Sequence, residues 1–271
     1  TQKGCLAWLD GQGGFGQVAA YDAARMASVL ADQFGCSFVL VGNSNHVGAL
    51  GVYTGRLAME GFISFMCSNA NPTVAPYGGC EARLGTNPLS FGFPWKAGCG
   101  AVIVDLATSA TAKGKIYEIV SRGGVDIPEG WALDRSGRPT VDAKEALRGI
   151  LLPMAGAKGY ALAVAVELLT GVFDGSAFGS GVGSLHRELS RPQRVSFAIA
   201  SLKPSMLRGD FERSVGLFCR YIHEARPEGG AERVLLPGEK ELMLEMERRR
   251  SGLEIEQDVW RQLVELASID T

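Results

Sequence analysis

The chain has 271 residues, 46% of them hydrophobic and 21% charged, with a formal net charge of −2 and a pI near 6.0. That is enough to bury a sizeable core in one or two domains, and the near-neutral balance leaves no broad cationic field for nucleic acid or an anionic membrane. Six cysteines (Cys5, Cys36, Cys67, Cys80, Cys99 and Cys219) form no CxxC pair, and neither a signal-peptide pattern nor a membrane-spanning apolar run is present, so a reduced, cytoplasmic protein without zinc is expected.

Cys5 to Leu9 reads as a short strand and Gln17 to Phe34 as a helix, with Ala20, Ala23, Ala24, Ala27 and Leu30 at helical spacing. Between them Gly11-Gln12-Gly13-Gly14-Phe15-Gly16 satisfies the GxGxxG pattern of dinucleotide-binding folds. A Rossmann fold also needs an acidic residue near the end of the next strand to hold the ribose hydroxyls. Here the run Ser37-Phe38-Val39-Leu40-Val41 leads into Gly42-Asn43-Ser44 instead, so the glycines read as a tight turn needing positive φ. The segment Asn43-Ser44-Asn45-His46-Val47-Gly48-Ala49 then breaks the apolar run with one of three histidines. A helix opening at Val47 and reaching Met59 would present the imidazole and free backbone N–H groups to a ligand.

Ile63 to Cys67 reads as a buried strand, Ser68 to Thr86 as a long structured loop, and Leu89 to Phe93 with Ala101 to Asp105 as an antiparallel pair across the turn-rich Pro94 to Gly100. Gly123 to Gly149 is polar and rich in turn signals, and is expected to wrap the surface. Tyr160 to Val172 is an almost wholly apolar helix, expected to be buried on most faces, with Lys158 and Gly159 at its electropositive end. A glycine-rich crossing (Phe173 to Pro192), a strand (Val195 to Ala200) and a helix (Phe211 to Ala225) follow. Two helices, about Glu239 to Arg250 and Glu256 to Ala267, end the chain. In the first, Leu242, Met243 and Met246 read as core, and Glu241, Glu245, Arg248 and Arg249 as a solvated face or subunit contact. The chain divides approximately into 1–67 (strand-helix core with His46), 68–150 (sheet region), 151–235 (core helix and strand) and 236–271 (C-terminal helices).

Polar and glycine-rich breaks recur beside the apolar runs: Leu84-Gly85-Thr86-Asn87-Pro88-Leu89, Val104-Asp105-Leu106-Ala107-Thr108-Ser109, Lys113-Gly114-Lys115, Ala157-Lys158-Gly159-Tyr160 and Leu236-Pro237-Gly238-Glu239. With the His46 segment, and in this order, they resemble the malate/L-lactate dehydrogenase family unrelated to the Rossmann-fold lactate and malate dehydrogenases. Its members also act on sulfolactate, ureidoglycolate, diketogulonate or cyclic imino acids. The resemblance implies an α/β, non-Rossmann fold with a mainly antiparallel cofactor-binding sheet flanked by helices. It further implies a homodimer, NAD or NADP as cofactor, and hydride transfer to or from a small 2-hydroxy or 2-oxo acid. Such chemistry needs cations or N–H donors for the substrate carboxylate and a group of near-neutral pKa for the hydroxyl proton.

By the same resemblance His46 is base or nicotinamide-positioning residue, with Val47, Gly48, Ala49 and Leu50 beside the cofactor. Thr86 and Asn87 lie near the substrate, and Asp105, Leu106 and Ala107 form a backbone-rich cofactor wall. Lys158 with Gly159, and Pro237, Gly238 and Glu239, meet the ribose and phosphate parts. His186 and His223 read as structural. Each motif also has a local reading: Thr86-Asn87-Pro88 as a turn, Asp105 as a helix N-cap, Pro237-Gly238 as a helix start.

The family pattern includes an upstream Asp-Ser-His-Gly motif and an arginine, assigned as proton donor and carboxylate clamp. That motif occurs nowhere in these residues and Thr1 is not a methionine, so the natural chain is expected to extend upstream. Two readings stand: an NAD(P)-dependent 2-hydroxy acid dehydrogenase, and a truncated, weak or inactive nucleotide-binding or oligomer-forming remnant of that family.

Overall fold

The computed structural model describes residues 1–96, 100–185, 190–207 and 209–268; Cys99, His186 and the middle of the expected Pro94 to Gly100 turn lie outside them. In chain order β1 (Gln2–Lys3) and β2 (Leu6–Asp10) lead into α1 (Gly16–Phe34), β3 (Cys36–Ser44), α2 (Gly51–Met59) and β4 (Ile63–Ser68). Next come β5 (Leu89–Lys96), β6 (Gly100–Leu106), α3 (Lys113–Ser121), β7 (Ala132–Leu133), β8 (Pro139–Thr140), α4 (Ala143–Arg148) and β9 (Ile150–Leu151). α5 (Ala157–Glu167) runs into a π-helical turn at Leu168–Val172, followed by β10 (Val195–Leu202), α6 (Phe211–His223), α7 (Glu239–Ser251) and α8 (Gln257–Ser268).

Seven strands form one sheet in the order β1-β2-β3-β10-β4-β5-β6. Among the described residues β2 and β3 pair in parallel across α1, and the other neighbours pair antiparallel. This is an α/β architecture whose sheet is mainly antiparallel and not doubly wound. Strand alternation sets its two faces. Val39, Val41, Met66, Phe197 and Ile199 point into the core beneath α1 and α2, while Leu40, Cys67 and Ala198 point into a second layer with Val166 of α5. On α1 the buried face is Ala20, Ala23, Ala24, Ala27 and Ala31, small enough to bring the helix close to β3 and β10. Burial in the second layer pushes the Cys67 thiol pKa up to about 12, so this cysteine behaves as a small hydrophobe.

Four expectations need correction. α2 begins at Gly51, not Val47, because Gly48 takes φ +76° and interrupts any helix there. Gly123 to Gly149 is more than a surface wrap. Its short strands β7 and β8 pair with β9 beside α4, and Ile127, Ala132, Ala143 and Ala146 close a separate small core with Ile116 and Leu151. The apolar helix is not buried on most faces: Leu162, Leu168, Leu169 and Val172 are 41–54% exposed, because the sheet covers only one side of it. Finally, Met243 and Met246 of α7 are exposed instead of core. No described helix is long and apolar enough to cross a membrane.

Candidate active site

The glycine turn after β2 is locked onto the His46 loop by backbone contacts. Gln12 and Gly13 take φ +54° and +66°, and the Gly11 and Gly13 N–H groups donate to the Gly42 and Asn43 carbonyls, both at 2.8 Å. Asp10 accepts from the Gln12 N–H (2.8 Å) and the Asn43 amide (2.9 Å), and these bonds hold its pKa below the ordinary carboxylate value. A Cβ on Gly16 would lie 2.1 Å from the Asn45 carbonyl oxygen, so the Asn45-His46 backbone fills the space over the start of α1 where a Rossmann pyrophosphate would sit. Asn45 donates its side-chain amide to the Gly13 and Gly14 carbonyls at 2.8 and 2.9 Å. These glycines therefore serve a turn and a close backbone approach.

His46 is exposed, with its backbone N–H donating to Gln193 Oε1 at 2.8 Å, and its imidazole makes no hydrogen bond to a described residue. The peptide is held and the ring is open to a cavity of about 670 Å³ bordered by Gln12, Asn45, Arg191 and Gln193. Gln193, 147 residues away, carries no sequence signal beyond its place at the end of a glycine-rich crossing. The neighbouring Val47 and Leu50 are 3% and 1% exposed and belong to the core, so their side chains are closed to a ligand. Val47 also accepts from the Tyr53 hydroxyl at 2.7 Å through its carbonyl. Gly48 and Ala49 form the accessible part of this segment.

A second cavity, about 790 Å³, lies between β6 and α7 and is bordered by Ala49, Ile103, Asp105, Leu106, Pro237 and Gly238. Asp105 does not cap the segment that follows it. Its carboxylate accepts the Gly51 N–H at 2.7 Å and so closes the first turn of α2 from across the fold. Burial of that carboxylate raises its pKa, and the Gly51 bond opposes the rise only in part. Pro237 accepts the Ile103 N–H at 3.2 Å, and Gly238, at φ +87°, has no room for a Cβ against Ile103. Glu239 turns inward: it accepts the Leu236 N–H at 2.8 Å and pairs with His223 Nε2 at 2.8 and 3.0 Å. Its carboxylate is thus engaged within the protein, and His223 is structural, as its position near a helix end suggests.

The remaining motif residues gather beyond the end of β6. The Thr86 carbonyl accepts both the N–H and the hydroxyl of Thr108, at 2.9 and 3.0 Å. Asn87 is 0% exposed, and its amide is spent on Ala163 O, Glu167 and the Ala70 N–H, leaving no atom for a substrate. Thr86 is half-buried, and Thr108 and Glu167 are partners that motif reading did not single out. Lys158 is exposed on the first turn of α5, while Gly159 is buried where a Cβ would come within 2.8 Å of Thr108 O and 2.2 Å of Met154 O. Gly159 therefore lets the positive end of α5 approach the Thr108 loop. A separate cavity of about 610 Å³ holds the Asp32–Lys203 pair (2.6 Å) and borders none of these motifs. Among the described residues there is no cluster of three or more histidine, cysteine, aspartate or glutamate side chains suited to a metal ion.

The family profile described as malate/L-lactate dehydrogenase matches residues 1–264. The chain belongs to this family. It is 37% identical over 262 residues to L-sulfolactate dehydrogenase of Methanothermobacter thermautotrophicus, covering 96% of this chain and 74% of that protein. It is 34% identical over 249 residues to the (2R)-3-sulfolactate dehydrogenase (NADP(+)) of Chromohalobacter salexigens, covering 92% and 72%. The solved structure of sulfolactate dehydrogenase from Methanocaldococcus jannaschii superimposes with a TM-score of 0.89 at 34% identity, over 99% of this chain and 76% of that one. The α/β, non-Rossmann fold is that of this family.

Proposed function

We propose that this family member is an NAD(P)-dependent oxidoreductase that interconverts a small 2-hydroxy acid and the corresponding 2-oxo acid, with His46 handling the hydroxyl proton. The observation that carries this reading is the contrast at His46: a pinned backbone and an imidazole open to a cavity. Held in this way, a ring can take or give a proton without first paying for loop ordering. Thr86 and the cationic Lys158 at the start of α5 are the groups assigned to the substrate carboxylate and the anionic parts of the cofactor.

The cavity between β6 and α7 fits a nucleotide cofactor by size and by its mixture of apolar wall and backbone, with Ala49, Leu106, Pro237 and Gly238 as the residues that would hold it. When bound, a nicotinamide cofactor supplies the hydride that the side chains cannot. Asp105, Glu241 and Glu245 border this cavity, and no lysine or arginine does among the described residues, which favours free ribose hydroxyls and therefore NAD over NADP. Exposed apolar side chains along α5 and the π-helical turn support a homodimer, which we assign to the cytoplasm.

Initial rates of NADH and NADPH consumption with a panel of 2-oxo acids and cyclic imino acids test the reading. Saturable turnover of a 2-oxo acid, faster with NADH, is the expected result. Dinucleotide binding without turnover would favour a non-catalytic family member, and absence of binding would overturn the site. Sedimentation velocity tests the dimer.

A further inference from the structure

Glu167, at the last turn of α5, is 6% exposed, and no cation pairs with it among the described residues. A buried carboxylate is costly unless its oxygens are well satisfied. Here Oε2 accepts the Asn87 amide at 2.7 Å, and Oε1 accepts the Gly179 N–H at 3.0 Å. The π-helical turn at Leu168–Val172 directly follows. In it Gly171, where a Cβ would lie 2.3 Å from Ala177 O, lets the glycine-rich crossing close back over α5 and deliver that N–H. Asn69, whose amide donates to Ala177 O at 2.9 Å, fastens the same crossing.

Asn87 in turn determines where Thr86 lies. Its backbone is at φ +33°, its Oδ1 accepts the Ala70 N–H, and Gly85 is packed so tightly that a Cβ would meet Asn87 Oδ1 at 2.6 Å. The Thr86 carbonyl then receives both donors of Thr108, at the end of the β6 wall. The carboxylate of Glu167 is thus the common acceptor joining α5, the Thr86 turn and the glycine-rich crossing.

We propose that Glu167 is a positioning residue: by holding the Asn87 amide it sets the Thr86 turn against Thr108, and so the substrate end of the site. This rests on the assignment of Thr86 to the substrate. It acts through Asn87 and touches no reacting atom. Glu167→Gln must place an NH₂ against either the Asn87 amide or the Gly179 N–H, a donor facing a donor, at almost unchanged volume. Asn87→Gly keeps a residue that tolerates positive φ and removes the amide.

The experiment has two readouts. In steady-state kinetics both variants are expected to raise KM for the 2-oxo acid by about ten- to a hundredfold, leaving KM for the dinucleotide within about twofold, with the double variant no worse than either single one. In hydrogen exchange of the folded proteins, peptides covering 69–88 and 106–110 should lose protection while those of β10 keep theirs. If exchange changes as expected and the wild type turns over no 2-oxo acid, the positioning stands and the substrate assignment falls. If both variants fold and leave exchange and the acid KM unchanged, or if kcat falls only in parallel with the folded fraction while both KM values stay at the wild-type level, the positioning role is overturned.

Discussion

The loop carrying His46 and the turn carrying Glu239 both interrupt apolar chain with glycine, yet they hold their polar side chains in opposite ways. At His46 the backbone is engaged, by Gln193 and by the close approach of Gly16, and the imidazole is open to a cavity. At Glu239 the carboxylate is engaged, by His223 and the Leu236 N–H, and the backbone of Pro237 and Gly238 borders the cavity instead. Membership of a motif therefore does not say which atoms meet a ligand. The tertiary partners decide whether a side chain is presented or consumed.

The largest effect that would break this contrast lies at His46. His46→Gln is expected to lower kcat/KM by about 10²- to 10⁴-fold with an unchanged urea midpoint, since the ring makes no hydrogen bond to a described residue. A loss of stability in step with activity would make His46 structural, like His223. Next comes Gly16→Ala, which places a methyl group 2.1 Å from the Asn45 carbonyl oxygen and 2.4 Å from that of His46. Urea denaturation should show a loss of about 1–3 kcal/mol, with activity reduced as the loop is pushed away.

Glu239→Ala, which strands the Leu236 N–H and frees His223, should cost about 1–3 kcal/mol. A dinucleotide titration should show binding weakened severalfold if the turn loosens; unchanged affinity would separate this turn from the cofactor wall. The smallest and most pH-dependent effect is at Asp105, whose folded-state pKa is raised above its ordinary value of 3.8 by burial. The folded protein then binds its proton more tightly than the unfolded chain does. Its stability should accordingly decline as pH rises from about 3.8 through the raised value, and stay lower above it. Asp105→Asn keeps an acceptor for the Gly51 N–H and removes the charge, so urea melts from pH 4 to 7 should find it equal to or more stable than wild type at pH 7. A marked destabilisation there would show that the charged cap outweighs its desolvation.

Much of the architecture is legible along the chain because it is periodic. The alanine stripe of α1, the continuous apolar run of β3 and the antiparallel β5–β6 pair all follow from local pattern and burial. The small sheet of β7, β8 and β9 is not legible, since strands of two residues are too short to carry a period. The start of α2 is missed for another reason: an apolar Val47 reads as helical, whereas the break comes from a positive φ at Gly48 and the cap from Asp105, 54 residues beyond Gly51. The exposed outer face of α5 has the same origin, because hydropathy reports a preference for burial but not which faces find a covering layer.

For the candidate site, local chemistry and motif order determined the family resemblance and the placement of His46, Thr86, Lys158 and the Pro237-Gly238 turn as breaks beside apolar runs. Only the tertiary structure decided which of their atoms are available. It closed Asn87, Val47 and Leu50 into the interior, turned Glu239 toward His223, and supplied Gln193 and Glu167 from distant segments. The physical reason is that spacing along a chain fixes side-chain direction within one element, whereas desolvation and hydrogen bonding depend on elements that meet only when the sheet assembles.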